Sequence, residues 1–372
     1  MSRIDDLVRE LCPDGVEYRA VNDVVKVVTA PKKILRKDYC ASGPYPIIDQ
    51  GQGLIAAYTS DESALFPTAE YVLFGDHTRE VKYFNGTFAQ GADGLKVLRC
   101  KGNVLPRFLF HALKAADMPN RGYSRHWSLV REIRIPVPPM EVQEEVVRVL
   151  DSFTELEAEL EAELEARKTQ YAFYRDRLLD FGDADTHSSS TPVRWVTLGE
   201  AANISNGSKP AEVSDEPLAY EYINAGTTNS GYVDSFNCQA NTVTMPTHGQ
   251  GGIGYVGYQA RPFWLGLLCF QIRSRDENEV LTRYLFYFLQ SQSKKIMQMK
   301  KEGGTPYLSR KNVAMLKIPL PPLAEQRRIV DILDRFDALT TSLTDGIPAE
   351  IEARRAQYAY YRDKLLAFPE KA

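Results

Sequence analysis

The chain has 372 residues, 44% hydrophobic and 25% charged, with a formal net charge of −4, the figures of a globular protein. Its longest apolar stretch, Trp264 to Phe270, is far below the roughly 20 residues of a membrane span, and the charged opening MSRIDDLVRE has no secretory apolar core. The five cysteines (Cys12, Cys40, Cys100, Cys238 and Cys269) show no CxxC spacing, which argues against a structural zinc site and for free thiols in a reducing cytoplasm.

Residues 1–134 carry 19 Lys and Arg against 16 Asp and Glu, a net of +3. Short β-like stretches come first: VEYRAVNDVVKVV (16–28), YPIIDQGQG (45–53) and YVLFGDH (71–77). The amphipathic helix LPRFLFHAL (105–113) follows them. Basic and aromatic residues that suit phosphates and base edges are Lys32, Lys33 and Lys37, then His77 and Arg79, then Arg121, Tyr123, Arg125, His126 and Trp127 in RGYSRHWS. Asp76, Glu80 and Lys82 in GDHTREVK form an acid followed by E-x-K, the pattern of some metal-dependent nucleases.

Residues 135–183 are acidic, 5 basic against 13, a net of −8. After the proline-rich lead-in IPVPPMEVQEEVVRVLDSF (135–153), apolar residues recur every three or four positions. That predicts a helix over 141–181, about 60 Å long. Phe153, Leu160, Leu164, Tyr171, Tyr174, Leu178 and Phe181 lie on its seam.

Residues 184–317, net +2 from 13 basic against 11 acidic, repeat the first block faintly. VRWVTLGEAANIS (193–205), YEYINAGTT (220–228), TVTMPTH (242–248) and LTRYLFYFL (281–289) correspond to the four stretches above. The candidates for nucleic acid here are Lys209, His248, Gln250, Lys300, Lys301, Thr305, Tyr307, Arg310 and Lys311. His77 and His248 read either as satisfied structural histidines or as base contacts at matching turns. GQGGIG (249–254) fits G-x-G-x-x-G, but it leads into YVGYQARPFW, so it reads as a hairpin tip rather than a cofactor loop opening a helix.

Residues 318–372, net −1 from 8 basic against 9 acidic, repeat the acidic helix. IPLPPLAEQRRIVDILDRF (318–336) matches 135–153, and ARRAQYAYYRDKLLAF (353–368) matches ARKTQYAFYRDRLLDF (166–181) at 11 of 16 positions. Four extra residues lie within TDGIPAE (344–350), where Gly346 and Pro348 predict a break or kink and a restart. The seam here comprises Phe336, Leu343, Ile351, Tyr358, Tyr361, Leu365 and Phe368. The two tyrosine-rich ends are expected to pack on each other.

Two variable blocks, each followed by IPxPP, a glutamine (Gln143 or Gln326) and a long helix ending in QY-aromatic-YRD-basic-LL, resemble the specificity subunit of Type I restriction–modification enzymes. The fold so implied is α+β: two mixed globular target recognition domains (1–134 and 184–317) separated by two repeat-related helices (135–183 and 318–372) that form an intramolecular antiparallel coiled coil. The resemblance implies no catalytic centre in this chain. Each domain would read one half of a split, asymmetric site on double-stranded DNA. Two methyltransferase subunits and restriction/translocase subunits would dock, with AdoMet, ATP and Mg on those partners and none here. A coiled-coil scaffold without DNA specificity and a nuclease built on Asp76, Glu80 and Lys82 are the alternatives.

Overall fold

The computed structural model describes residues 3–91, 94–122, 124–182, 193–249, 251–301, 306–342 and 346–371. They form two compact units, Met1–Glu161 with Glu350–Ala372, and Ala162–Ala349.

The first unit begins with α1 (Arg3–Leu11), β1 (Glu17–Ala20), α2 (Val21–Val24) and β2 (Val25–Val28). There follow β3 (Tyr45–Ile48), β4 (Ala57–Thr59), β5 (Leu65–Gly75), β6 (Val81–Gln90) and β7 (Leu95–Cys100). Next come α3 (Pro106–Ala115), α4 (Trp127–Val130), β8 (Arg134–Val137) and α5 (Met140–Leu178). A six-stranded sheet has the order β2-β7-β5-β6-β3-β4, and β1 pairs with β8. The run Tyr71–Phe74 is buried on both sheet faces. Val72 and Phe74 join the core beneath α3, while Tyr71 and Leu73 lie among Phe66 and Phe88, whose rings stack at 4.8 Å.

α3 starts with Pro106 in its first turn, where a missing N–H costs nothing. Gln143, fully buried, closes the junction with α5: its Oε1 accepts Leu105 N at 2.9 Å, and its Nε2 donates to Asn103 O at 2.8 Å and Pro138 O at 2.7 Å. Arg107 Nε meets Asp151 Oδ1 at 2.7 Å about two turns further along α5. Val142, Val146 and Leu150, spaced by four, bury the same face of α5.

The second unit continues from α5 into β9 (Arg194–Thr197), α6 (Leu198–Ala201), β10 (Ala202–Asn206), β11 (Tyr220–Ile223), β12 (Tyr232–Val233) and β13 (Thr242–Pro246). Then follow β14 (Gly257–Gln259), β15 (Trp264–Leu265), β16 (Cys269–Ser274), α7 (Thr282–Ser291), α8 (Ser293–Gln298), α9 (Arg310–Ala314), β17 (Lys317–Leu320), α10 (Leu323–Thr341) and α11 (Ile347–Leu365), the last returning to the first unit.

The faint sequence repeat is a shared strand register. Val72 faces Leu98 as Val243 faces Ile272, and β3 runs parallel to β6 as β11 runs parallel to β15. The difference is one break. The stretch that forms the single strand β6 in the first unit is divided in the second into β14 and β15, with Pro262, which has no N–H to donate, between them. The sheets are accordingly β10-β16-β13-β14 and β12-β11-β15, with β9 on β17. Gln326 repeats the Gln143 contacts on Leu281 N, Glu279 O and Pro321 O, and Arg283 meets Asp334 at 2.7 Å.

α5 is one helix of 39 residues, about 60 Å long. The second copy is two helices of 19 residues each. A Cβ on Gly346 would sit within 3 Å of the carbonyls of Ala338, Leu339 and Ser342, so the chain can turn that tightly only with glycine there. Pro348 occupies the opening turn of α11.

The seam differs from the expected pairing of tyrosine with tyrosine. In the first unit Tyr361 stacks on Phe153 at 5.3 Å, and Arg355 bonds Glu157 and Glu161, so the two helices run antiparallel there. In the second unit Tyr174 stacks on Phe336 at 5.8 Å and Tyr171 lies 6.4 Å from the same ring. Each tyrosine segment thus takes the beginning of the other copy as its partner. The helix ends also enter the globular cores: Leu366 and Phe368 with Tyr358 and Leu365 in the first unit, Leu179 with Tyr171, Leu178 and Phe181 in the second. Leu160 and Leu164 are half-buried and Ile351 is buried; Leu343 lies outside the described residues.

Candidate nucleic-acid interface

In the first unit three loops are tied together. The β5–β6 turn is closed by Gly75 N donating to Glu80 O at 2.8 Å, and Arg79 takes a left-handed φ of 64° within it. The loop after β3 meets this turn. Gln50 Oε1 accepts His77 N at 3.2 Å, and Gln50 O accepts Thr78 Oγ1 at 2.6 Å. The loop between α3 and α4 closes the other side. Asp76 Oδ1 accepts Trp127 N at 2.7 Å, Asp76 O accepts His126 N at 2.9 Å, and Arg79 Nη1 donates to Met118 O at 3.3 Å.

This arrangement decides between neighbouring candidates. His126 is 1% exposed; its Nδ1 lies 3.0 Å from Asp76 O and its Nε2 accepts Arg121 N at 3.2 Å. Both ring nitrogens are thus engaged within the loop, and the ring acts there as a structural pin. Trp127 is half-buried, 6.0 Å from Phe74. Arg121 and Arg125 are exposed on the rim of the same loop. Lys32, Lys33 and Lys37 belong to a separate segment before β3. Lys32 Nζ donates to Asp61 at 2.6 Å, and that hydrogen bond holds the Asp61 carboxyl down at about 2.

The acid and E-x-K group is structural. Asp76, besides its backbone bonds, pairs with Lys96 at 3.5 Å. Lys82 points inward and donates to Asp49 O at 2.8 Å and Gly53 O at 2.5 Å. Burial lowers its pKa from the ordinary lysine value, against the pull of Asp49 and Glu80. Among the described residues no group of three or more His, Cys, Asp or Glu could hold a metal ion.

The second unit rebuilds the same three-loop surface with different side chains. Thr247 O accepts Leu308 N at 2.8 Å, and Gly249 N donates to Pro306 O at 3.2 Å, fastening the β13–β14 turn to the loop before α9. Gly252 presses against the loop after β11, where a Cβ would lie 2.9 Å from Gly226 N. Gly251–Gly254 form a turn, followed by the strand β14 rather than a helix. His248, its Nδ1 2.7 Å from Thr247 Oγ1, stacks on the exposed Tyr307 at 6.1 Å. Lys301 and Tyr307 exchange backbone bonds, with Lys301 Nζ 6.0 Å above the ring. Arg310 and Lys311 are exposed at the start of α9, and Lys300 and Lys209 are also exposed. Tyr123, Gln250 and Thr305 lie outside the described residues.

Sequence reasoning missed Gln50 and the inward turn of Lys82. Both have ordinary neighbours in the sequence, and only the converging loops give them partners.

No helix among the described residues is long and apolar enough to cross a membrane. The profile of the family described as Type I restriction modification DNA specificity domain matches residues 13–166 and 192–353. The chain is 29% identical, over all of its own length and 98% of the relative's, to the specificity subunit of the type I restriction enzyme EcoR124I/EcoR124II of Escherichia coli. It is 29% identical, over 95% of its length and 96% of the relative's, to a putative type I restriction enzyme specificity subunit of Haemophilus influenzae. A crystal structure of the type I restriction–modification S subunit from M. genitalium has a similar fold, with a TM-score of 0.65 at 18% identity, covering 95% of this chain and 96% of that one. A chain from a structural study of complex assembly and conformational transition of the type I system superposes with a TM-score of 0.57 at 18% identity, covering 95% and 98%.

Proposed function

The chain belongs to the Type I restriction–modification DNA specificity family, and on that premise we propose that it reads a split, asymmetric site on double-stranded DNA without catalysing a reaction itself. Each unit would read one half through its three-loop surface. Arg121 and Arg125 are the first unit's candidates for contact, and His248, Lys301, Tyr307, Arg310 and Lys311 are the second's. Arginine can read guanine edges, lysine can neutralise phosphate, and backbone amides of the glycine-rich turns can hold the DNA strand.

One observation carries this reading: the same loop architecture is built twice on a repeated frame, with the rim residues changed. The clamps Gln143 and Gln326 and the bridges Arg107–Asp151 and Arg283–Asp334 match, while the rims differ: the first exposes Arg121 and Arg125, and the second stacks His248 on Tyr307. A frame that stays constant while its rims differ suits two readers of different sequences.

The partners are part of the proposal. The exposed rings Phe173 and Tyr360 hold corresponding places in the two helical repeats, each edge-on to the next tyrosine at 5.5 and 5.3 Å. Such a duplicated aromatic patch suits two copies of one methyltransferase subunit carrying AdoMet. Restriction/translocase subunits using ATP and Mg would join them.

The test is selection from a random DNA library by the complex copurified with its partner subunits. A two-part consensus with a constant gap is expected. No enrichment would leave a protein scaffold, and cleavage by this chain alone would leave a nuclease.

A further inference from the structure

A lysine buried in a protein interior is rare, because an ammonium loses its hydration and must be repaid by hydrogen bonds or charge. Lys82 is 6% exposed and lies in β6, a place that a methionine could fill without that cost. Its ammonium instead grips both ends of one short loop, Asp49 O at 2.8 Å and Gly53 O at 2.5 Å. Between them, Gln50 is bound to the β5–β6 turn through His77 N and Thr78 Oγ1, and Gly51 N donates to Asp49 Oδ1 at 2.8 Å. Gln52, next to the gripped Gly53, is exposed.

We infer that Lys82 is a positioning residue for DNA reading: its ammonium holds the loop so that Gln52 is a specificity-determining side chain for the first half-site. This rests on the reading that the three-loop surfaces meet DNA. A glutamine amide can bond an adenine edge with both its donor and its acceptor, and that geometry requires a rigid mount. The second unit is built without this device. Gly257 stands at the matching position of β14, and its loop is fastened by Asn224 Oδ1, which accepts Leu268 N at 3.0 Å. A change at Lys82 should therefore touch one half-site and spare the other.

The experiment compares wild type, K82M, K82A and Q52A, each in the complete complex with its partner subunits, by selection from a random DNA library. Wild type should return two half-sites. Q52A should lose about tenfold or more of its preference at one position of the first half-site, and K82M should relax that position while the second half-site and the gap stay as in wild type. Propylammonium should restore the preference of K82A, and tetramethylammonium, which has no N–H to donate, should not. Should K82M fail to fold, the K82A rescue and Q52A decide the matter alone. An unchanged first half-site in Q52A or in a folded K82M, equal loss in both halves, or rescue by both cations would overturn the inference. A wild-type complex that returns no split site would instead overturn the reading on which it rests.

Discussion

Tyr361 stacks on Phe153 with ring centroids 5.3 Å apart and planes 20° from parallel, and the corresponding residues of the other repeat, Tyr174 and Phe336, stack at 5.8 Å and 27°. The repeat is thus closed by exchange: the end of each long element packs on the beginning of the other. A double-mutant cycle of F153A and Y361A should return a coupling of about 0.5–1.5 kcal/mol beyond the area lost. Urea unfolding of the four proteins measures it, and strictly additive effects would show that the rings are only neighbours.

The two buried glutamines should behave alike and independently. Gln143→Leu leaves Leu105 N, Asn103 O and Pro138 O without their bonds and should destabilise the first unit by about 2–4 kcal/mol. Gln326→Leu should do the same to the second unit, with the pair adding to within about 0.5 kcal/mol. Hydrogen exchange of α3 and α7 separates the two effects; a loss of protection in both helices from either single change would count against independence.

Acid should loosen the first unit through His111. The ring is fully buried, with Nε2 2.8 Å from Asp151 Oδ1 and Nδ1 2.9 Å from the Tyr358 hydroxyl. Burial lowers its pKa below the ordinary 6.5 despite the neighbouring Asp151 carboxylate, and Arg107 and Lys114 push the same way. The unfolded chain therefore takes up the proton first. Stability is complete above about pH 6.5 and falls below it, by up to about 1.4 kcal/mol per pH unit until the folded ring also titrates. In H111Q this part of the loss should disappear between pH 6.5 and 5.5. Parallel urea profiles for the two proteins would exclude His111 as the cause.

Adjacent residues of one loop should fail in different ways. R125A should keep its thermal midpoint and weaken DNA binding, with the salt dependence reduced by about one phosphate contact. H126A, which strips bonds from a buried site, should lower stability by about 2–3 kcal/mol. Binding isotherms at several salt concentrations together with melting curves make the distinction. The assignment of these two residues is reversed if R125A melts early and H126A does not.

Deleting Gly346–Ala349 removes the residues that let α10 turn into α11. The expected result is a changed gap between half-sites, or no binding, with both half-site sequences intact. Library selection on the deletion variant reads gap and half-sites together. Altered half-sites at an unchanged gap would end the idea of the helices as a ruler.

Much of this architecture can be read along the chain because its causes are local. Spacing of three and four predicts a helix over 141–181, and the helix found spans Met140–Leu178; Gly346 and Pro348 interrupt its second copy, and a strand, not a helix, follows Gly254. The matched IPxPP and glutamine positions belong to the same class of signal. What periodicity cannot state is which surface will cover an apolar face. The seam tyrosines were legible, but their partners, Phe153 and Phe336, depend on how distant segments return to one another. His126 and Arg125 look equivalent in RGYSRHWS until Asp76 captures the histidine. Lys82 looks like the lysine of an E-x-K pattern until two carbonyls of another loop enclose it. The sequence by itself determined the elements and their repetition, through steric and hydrophobic preferences that act within a few residues. The tertiary structure alone decided which polar groups became fastenings and which stayed exposed to meet a partner, because burial and hydrogen-bond satisfaction are settled between segments far apart in the chain.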